Sequence, residues 1–485
     1  MGPLIEALIR ALNGSGISYC HWKSNSALPR TLMGATDLDL LVGRHDAQRF
    51  REILANLGFR PSIEAGTQAT PSTEHHTALD AEDGTIVHVH AYYRVITGES
   101  LAKNYRLPVE EMLLSNTRRE GIVNVPARGA ELIVFVIRML VKHTTAIELG
   151  LLLRQWADVR REAAWLMTDE ALEEAGKLLP DWLPNLDDRL FREACEALRR
   201  PAPMWRRMLI GYRVRGRLRV YKRRRIVIAR LVGATKFAGM VSHRVTGSSK
   251  KLTPAGGGAV IAFVGAEATG KSTVLDHVQR WLSERYTVRR IHAGKPPATL
   301  LTLVPHVLLP AFRRLFPDQR FTRVEAGDET SGPSDRPAPP LFAIRAVMLA
   351  YERRALLVRA FADSAAGAIV LCDRYPSSRI GAPDSPQLAD RPAPDGLRRR
   401  LAVLETRLYE DIPAPDLVMH LSAPLEVTLA RNAARRKTEP EDHVRRRHAR
   451  SVDLDFDGVP VHRLGTDRSM DEVLREVKDV IWQTL

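Results

Sequence analysis

Eight consecutive residues, Gly265-Ala-Glu-Ala-Thr-Gly-Lys-Ser272, leave few folds open to this chain. The continuous apolar segment AVIAFVG precedes them, and a segment with helical spacing, TVLDHVQRWLSERY, follows them. A short apolar segment of this kind is typical of a strand that is buried on both faces. Two further buried strands, within GAIVLCDRY and PDLVMHLSA, are each separated from their neighbours by helical stretches. The pattern predicts an α/β domain, with a parallel sheet covered by helices on both faces.

The spacing of Gly265, Gly270, Lys271 and Ser272 matches G-x-x-x-x-G-K-[ST], a phosphate-binding loop (P-loop). Glycine lets the backbone curl so that successive N–H groups point at phosphate oxygens, and the helix N-terminus adds its positive dipole end. The Lys271 ammonium then reaches the β- and γ-phosphates, while the Ser272 hydroxyl binds Mg²⁺. We therefore predict that ATP and Mg²⁺ bind here. The predicted nucleotide-binding residues are Gly265, Ala266, Glu267, Ala268, Thr269, Gly270, Lys271, Ser272 and Thr273.

Asp373 and Arg374 stand at the carboxyl end of the strand predicted in GAIVLCDRY. Open α/β sheets place their ligand-contacting groups at this end of their strands. An acidic residue there can hold Mg²⁺ or its water, and an adjacent arginine can grip a phosphate with two hydrogen bonds. We therefore predict that Asp373 joins Ser272 at the Mg²⁺ and that Arg374 contacts a phosphate.

A cluster of cations, Arg431, Arg435, Arg436 and Lys437, follows the strand predicted in PDLVMHLSA. On a mobile segment these cations could close over the transferring phosphoryl group, stabilise its charge and exclude water. A solvated basic helix is the alternative interpretation. The candidate catalytic residues are Lys271, Asp373, Arg374, Arg431 and Arg435.

These motifs, in this order, resemble thymidylate kinases and related P-loop kinases over about residues 258–485, apart from an insertion around 300–340. The resemblance rests on FVGAEATGKST, Asp373-Arg374-Tyr375, the AYER stretch with Arg353, and PDLVMHLSAP. It implies phosphoryl transfer from ATP to a nucleoside monophosphate or related phosphorylated acceptor, with Arg353 and Arg374 near that acceptor. Proteins with this resemblance often accompany cell-surface polysaccharide synthesis, which adds a sugar or glycolipid precursor as a candidate acceptor. A regulatory NTPase that phosphorylates no acceptor stays open as the alternative.

Asp37 and Asp39, in the N-terminal part of the chain, lie two residues apart on a predicted strand and so share one face. Two aligned carboxylates can hold a divalent ion, which makes this pair a second candidate metal site. With the neighbouring strands and hairpin, the segment resembles a nucleotidyltransferase-fold domain over about residues 1–120. His88 and His90 stand where such enzymes usually carry a third carboxylate. Active nucleotidyl transfer, a degenerate nucleotide- or substrate-binding domain and a fortuitous Asp-x-Asp all stay open.

The net charge of +15 comes from a single segment. Residues 199–251 contain seventeen Lys or Arg and no Asp or Glu, while the rest of the chain is nearly neutral. Its interleaved apolar residues indicate contact with an anionic membrane or polyanion, or alternatively a solvated interdomain helix. A Gly- and Ser-rich linker ends the segment near residue 255. We therefore predict an α+β domain at 1–165, a helical basic connector at 166–255 and the P-loop domain at 256–485.

The spacing of the cysteines and the distribution of apolar residues indicate the cellular compartment in which the protein works. Cys20, Cys195 and Cys372 lie far apart without C-x-x-C spacing, which fits a reduced chain and argues against a zinc or disulfide framework. The N-terminal residues lack the pattern of a secretory signal, and charges interrupt the apolar stretch from Leu132 to Leu153. The prediction is a cytoplasmic protein, with peripheral membrane association as an extension.

Overall fold

The computed structural model divides into two compact units, Met1–Ala255 and Gly256–Leu485. For residues 146–155, 204, 443, 450 and 452 only the backbone is described. The structure describes residues 1–64, 72–99, 102–142, 146–199, 203–225, 228–229, 231–235, 251–299, 302, 337–378, 384–389, 391–393, 395–434, 440–452, 454–456 and 458–485.

A mixed sheet of six strands organises the first unit, with the order β1-β2-β5-β4-β3-β10. Strands β2 and β5 pair in parallel, and the other neighbours pair antiparallel. Two small hairpins, β6 with β7 and β8 with β9, complete its strands. The strands of this unit are β1 (Tyr19–His21), β2 (Leu38–Val42), β3 (Arg60–Glu64), β4 (Thr73–Leu79), β5 (Ile86–Tyr92), β6 (Val95–Thr97), β7 (Tyr105–Leu107), β8 (Thr117–Glu120), β9 (Val123–Pro126) and β10 (Leu252–Pro254).

A helical layer forms the other part of the first unit. Its core lies around the helix Arg128–Lys142, whose side chains are buried on nearly every face. The helices of the predicted connector pack into this same core, because Ile210, Val214 and Leu218 recur at helical spacing and are buried. Among the described residues, the helices of the first unit include Pro3–Ser15, Leu28–Thr31, Ala47–Asn56, Glu110–Ser115, Arg128–Lys142, Ala146–Leu166, Asp169–Trp182, Asp188–Arg199 and Met204–Arg217.

One carboxyl group, that of Glu131, lies inside this core and is 2% exposed. Its Oε1 accepts a hydrogen bond from Asn25 Nδ2 at 2.9 Å, whereas Oε2 has no hydrogen-bond partner among the described residues. Burial raises the pKa of Glu131 to about 7. The folded chain therefore keeps a proton that the unfolded chain releases above the ordinary pKa of 4.5.

We expect Glu131→Gln to remove a pH-dependent loss of stability. Because the folded state binds more protons between the two pKa values, the parent's free energy of unfolding falls as pH rises from about 4.5 to about 7. Between about pH 5 and about pH 8, the free energy of unfolding of the parent should fall by about 3 kcal/mol relative to that of Glu131→Gln. Urea denaturation at each pH measures this difference. Glu52→Gln, at an exposed position, is the control. A stability difference between parent and Glu131→Gln that stays constant with pH would contradict this expectation.

The second unit contains a five-stranded sheet with the order β12-β13-β11-β14-β15, in which all neighbours pair in parallel. The predicted α/β organisation with a parallel sheet is thus confirmed for this unit. Its strands are β11 (Val260–Val264), β12 (Val288–His292), β13 (Ile369–Asp373), β14 (Leu417–Ser422) and β15 (Val461–Gly465). Its helices are Lys271–Ser283, Pro340–Ala365, Gly396–Glu410, Leu425–Ala433, Glu441–Val452 and Met470–Thr484.

The central position of β11 decides where a ligand can bind. Every residue of β11 and of β13 is buried, so packed elements cover both faces of the sheet at these strands. Open parallel sheets bind ligands at the carboxyl ends of their strands, and there the loops after β11, β13 and β14 lie side by side. Gly265 and Arg374 follow two of these strands, so the fold brings them to one edge.

No helix within the described residues has the length and apolar content needed to cross a bilayer. The three cysteines are free thiols, and all are buried. Burial raises the pKa of Cys195 to about 12 and raises the pKa of Cys20 and of Cys372 as well. A buried thiol that stays protonated behaves as a small apolar side chain.

Candidate functional site

The loop between β11 and the helix Lys271–Ser283 is curled by backbone conformations that favour glycine. Gly265 has a φ of 133° and Gly270 a φ of 89°. A Cβ atom on Gly265 would lie 2.1 Å from the carbonyl oxygen of Leu421 in β14, so no larger residue fits there. Thr269 Oγ1 donates to the Ala266 carbonyl at 2.8 Å and closes the curl from inside.

Lys271 places its ammonium within this curl. Its Nζ donates to the carbonyl of Gly265 at 2.8 Å and to that of Ala266. Because Lys271 is also the first residue of a helix, the N–H groups of the first helical turn lie at the same end of the loop. Backbone donors, a helix dipole and one ammonium form a donor set that suits a polyphosphate chain.

Ser272 and Asp373 are the residues that would hold Mg²⁺. Ser272 is exposed in the first turn of the helix, and Asp373 is the last residue of β13. A hydroxyl and a carboxylate are hard oxygen ligands, which is the chemistry that Mg²⁺ prefers. Arg290 Nη2 lies 3.7 Å from Asp373 Oδ2 and is the charged neighbour of that carboxylate.

Arg353, predicted to bind the acceptor, is buried, with 2% of its surface exposed, and bonds to several groups of the protein. Its Nε donates to the Ala293 carbonyl at 2.8 Å, and its Nη1 donates to the Asp384 carbonyl at 2.9 Å. Nη2 forms an ion pair with Asp384 Oδ1 at 2.9 Å, and Nη1 also donates to the Tyr409 hydroxyl. Burial raises the pKa of Tyr409 to about 12, so that its hydroxyl keeps its proton at neutral pH. The guanidinium is therefore bound by groups of the protein itself.

Arg374, the other predicted acceptor-binding residue, shares the carboxylate of Asp384 with Arg353. Its Nη1 lies 3.3 Å from Asp384 Oδ2, and its Nη2 lies 3.3 Å from Glu267 Oε1. The structure thus brings Arg353 and Arg374 together, with the carboxylate of Asp384 between them. No sequence signal points to Asp384, because it lies in a loop and acts through contacts that only the fold creates.

Glu267 and Arg447 extend this charge network to the P-loop. Glu267, within the loop, forms ion pairs with both Arg374 and Arg447 of the helix Glu441–Val452. A cavity of about 30 Å³ lies beside the loop and is lined in part by these side chains and by Asp384. Sequence reasoning missed Arg447, although the basic run RRRHAR that contains it offered a signal.

The predicted lid cations are only partly described. Arg431 donates from Nη1 to Thr466 Oγ1 at 3.1 Å and from Nη2 to the Thr466 carbonyl at 2.6 Å. Thr466 Oγ1 in turn donates to the Thr269 carbonyl at 2.9 Å, so Arg431 is linked to the P-loop through Thr466. Arg435, predicted to be catalytic, lies outside the described residues.

In the first unit, Asp37 and Asp39 are paired with a lysine and with histidines of the protein. Lys23 Nζ lies 2.8 Å from Asp39 Oδ1, and His88 Nδ1 lies 3.0 Å from Asp37 Oδ1. Burial alone would raise the pKa of Asp39, but Lys23 and His90 outweigh it and hold that pKa well below its usual range. Within the described ranges, no three His, Cys, Asp or Glu are grouped to hold a metal ion. Asp37 and Asp39, predicted as a second metal site, are each bound to a basic side chain of the protein in this structure, and the metal site stays a prediction.

The second unit is thus an α/β unit with a P-loop at the carboxyl edge of its parallel sheet. The chain is 24% identical over 223 residues to YghS of Escherichia coli (strain K12), an uncharacterized ATP-binding protein. The match covers 44% of this chain and 89% of that relative. No protein-family model matches the chain. The similarity supports an ATP-binding domain, in agreement with the P-loop.

Proposed function

We propose that the second unit is a kinase that transfers the γ-phosphoryl group of ATP to a phosphorylated acceptor. The observation that carries this proposal is the pairing of a P-loop with two arginines that converge on one anion. Lys271 lies within the loop, while Arg353 and Arg374 hold the Asp384 carboxylate on the adjoining side. A hydrolase has no need of a second anion site next to its nucleotide, whereas a kinase with a charged acceptor does.

The residues divide the work in the proposed reaction. An acceptor oxygen forms a bond to the γ-phosphorus, the bond to the β,γ-bridging oxygen breaks, and ADP leaves. Mg²⁺, held through Ser272 and Asp373, would neutralise phosphate charge. Lys271 and the loop N–H groups hold the β- and γ-phosphates in place. Arg374 orients the acceptor, and Arg447 stays within reach of the same space through Glu267.

Acceptor-dependent formation of ADP tests this proposal. The full chain is incubated with ATP and Mg²⁺ and with one compound at a time, among them dTMP, other nucleoside monophosphates and phosphosugars. We expect at least one phosphorylated compound to increase ADP formation and to gain a phosphoryl group. A regulatory NTPase would instead release ADP and inorganic phosphate at a rate that none of these compounds changes, and that result would overturn the proposal.

We expect ATP turnover not to depend on the carboxylates of Asp37 and Asp39 in the first unit. Asp37→Ala and the paired variant Lys23→Met with Asp39→Asn should each leave the rate of ADP formation within about twofold of the parent. The paired variant is needed because removing Asp39 alone would leave a buried ammonium uncompensated, at a cost of about 3–5 kcal/mol. Steady-state kinetics with circular dichroism as the folding check would measure this. A loss as large as that caused by Lys271→Ala would contradict the assignment of turnover to the second unit.

A further inference from the structure

The helix Met204–Arg217 carries a line of large apolar side chains that face solvent. Trp205 is 66% exposed, and Leu209 and Tyr212 are each 54% exposed. Their positions at i, i+4 and i+7 place them in one stripe along the helix. Val220, just beyond the helix, is also exposed. Large apolar residues grouped in this way on a surface mark an interaction site more often than chance exposure.

The opposite side of the same helix is anchored in the core of the first unit. Ile210, Val214 and Leu218 are buried there, and the Arg207 guanidinium stacks on the Trp156 ring at 3.6 Å. Since the helix already buries one apolar face, the exposed stripe is a second apolar face. The helix is therefore held in place with Trp205, Leu209 and Tyr212 directed outward.

Arginines without acidic partners accompany this stripe. Within the described part of the chain, no carboxylate lies at ion-pair distance from Arg206, Arg219, Arg224 or Arg225. All four are exposed. By contrast, Arg213 and Arg217 are paired with Glu193 and Asp187. Arg206 follows Trp205 directly and Arg219 precedes the exposed Val220, in a segment that contains no acidic residue from 199 to 251.

We propose that this surface, Trp205, Leu209 and Tyr212 with Arg206 and Arg219, docks the protein on an anionic lipid bilayer. Trp and Tyr favour the interface between headgroups and acyl chains, and a leucine between them adds apolar area that can be buried. Arginines beside such a stripe can bind lipid phosphates while the helix lies in the plane of the surface. Charge complementarity selects anionic lipid, and the aliphatic and indole groups select a bilayer over a nucleic acid, whose phosphates would leave the stripe in water.

Flotation with lipid vesicles tests the proposal on the full chain. Vesicles of phosphatidylcholine alone are compared with vesicles that contain phosphatidylcholine and phosphatidylglycerol in equal parts, at low and at high salt. We expect binding to the anionic vesicles only, with a steep loss as salt screens the arginines. The triple variant Trp205→Ala, Leu209→Ala, Tyr212→Ala should bind at least about tenfold more weakly. The pair Arg206→Gln, Arg219→Gln should bind about 10- to 30-fold more weakly, at about fivefold per arginine.

A control variant distinguishes binding by this surface from non-specific binding by other exposed apolar residues. Leu397→Ala with Leu404→Ala removes exposed apolar groups from another arginine-bearing helix, and should leave vesicle binding unchanged. Alanine keeps the helix intact, and ATP turnover of the triple variant reports that the chain still folds. Three results would overturn the proposal: equal binding to both kinds of vesicle, equal binding by the triple variant and the parent, or binding of duplex DNA without any binding of vesicles.

Discussion

Replacing Lys271 by alanine should lower the rate of ATP turnover by a factor of about 10² to 10³. The Lys271 ammonium lies within the loop, bound to the carbonyls of Gly265 and Ala266, where the β- and γ-phosphates of a bound nucleotide would compete for it. Alanine removes this charge but keeps the helix start, because alanine is the best helix former. The stability cost should be about 1 kcal/mol, since the two carbonyls can turn to water.

The measurement for Lys271→Ala is ADP formation at saturating ATP, together with the urea denaturation curve. Arg280→Ala, an exposed cation later on the same helix, is the matched control and should leave turnover unchanged. Turnover by Lys271→Ala within about twofold of the parent would place ATP hydrolysis elsewhere in the chain. A fall in turnover with an equal fall in folded protein would point to a structural role instead.

The parts of the second unit that could be predicted from sequence depend on short-range patterns. AVIAFVG was predicted to be a buried strand before the loop, and β11 confirms it. Gly265 and Gly270 are required by local backbone geometry and by one close approach to β14, so the motif alone identifies the loop. The strand and the loop glycines can be predicted because they depend on neighbouring residues in the sequence and not on how the rest of the chain folds.

The arginine network could not be predicted, because its members meet only after folding. Arg353 and Asp384 are 31 residues apart, and Arg374 reaches Glu267 across 107 residues. Gly294 is a second example of a contact that the sequence does not reveal. A Cβ atom there would lie 2.5 Å from Cδ of Arg374, so this glycine, which belongs to no sequence motif, makes room for that side chain. Periodicity and motif spacing carry no information about such contacts.

Basic clusters were the least informative sequence signal. Arg431 is predicted to close over the transferring phosphoryl group; in this structure it donates to Thr466, and the lid role stays a prediction. In the basic segment, Ile210 and Leu209 are both among the interleaved apolar residues. The structure separates them, with Ile210 in the core and Leu209 exposed. Spacing predicts that a helix has two apolar sides, but only packing decides which of them is covered.

Replacing Asp384 by asparagine should make the second unit bind an anion about 10- to 100-fold more tightly. The carboxylate now holds both Arg353 and Arg374, so an acceptor phosphate must compete with it for the same guanidinium groups. Asparagine has nearly the same size but no charge, and it tolerates the left-handed backbone of this residue at φ 67°. The bond from Arg353 to the backbone carbonyl of residue 384 is kept.

Inorganic phosphate is the probe for this change, measured by calorimetry on the full chain with the P-loop first filled by a non-hydrolysable ATP analogue and Mg²⁺. Asp395→Asn makes the same chemical change at an exposed helix cap and should leave phosphate binding unaltered. Adding Arg374→Gln to Asp384→Asn should remove the gain, because the freed guanidinium is what the phosphate binds. If the chain takes up the analogue but Asp384→Asn binds phosphate no better than the parent, then the two arginines do not form the acceptor site. An acceptor without a phosphate would then fit better, since Asp384 and Glu267 neutralise the arginines nearest the loop.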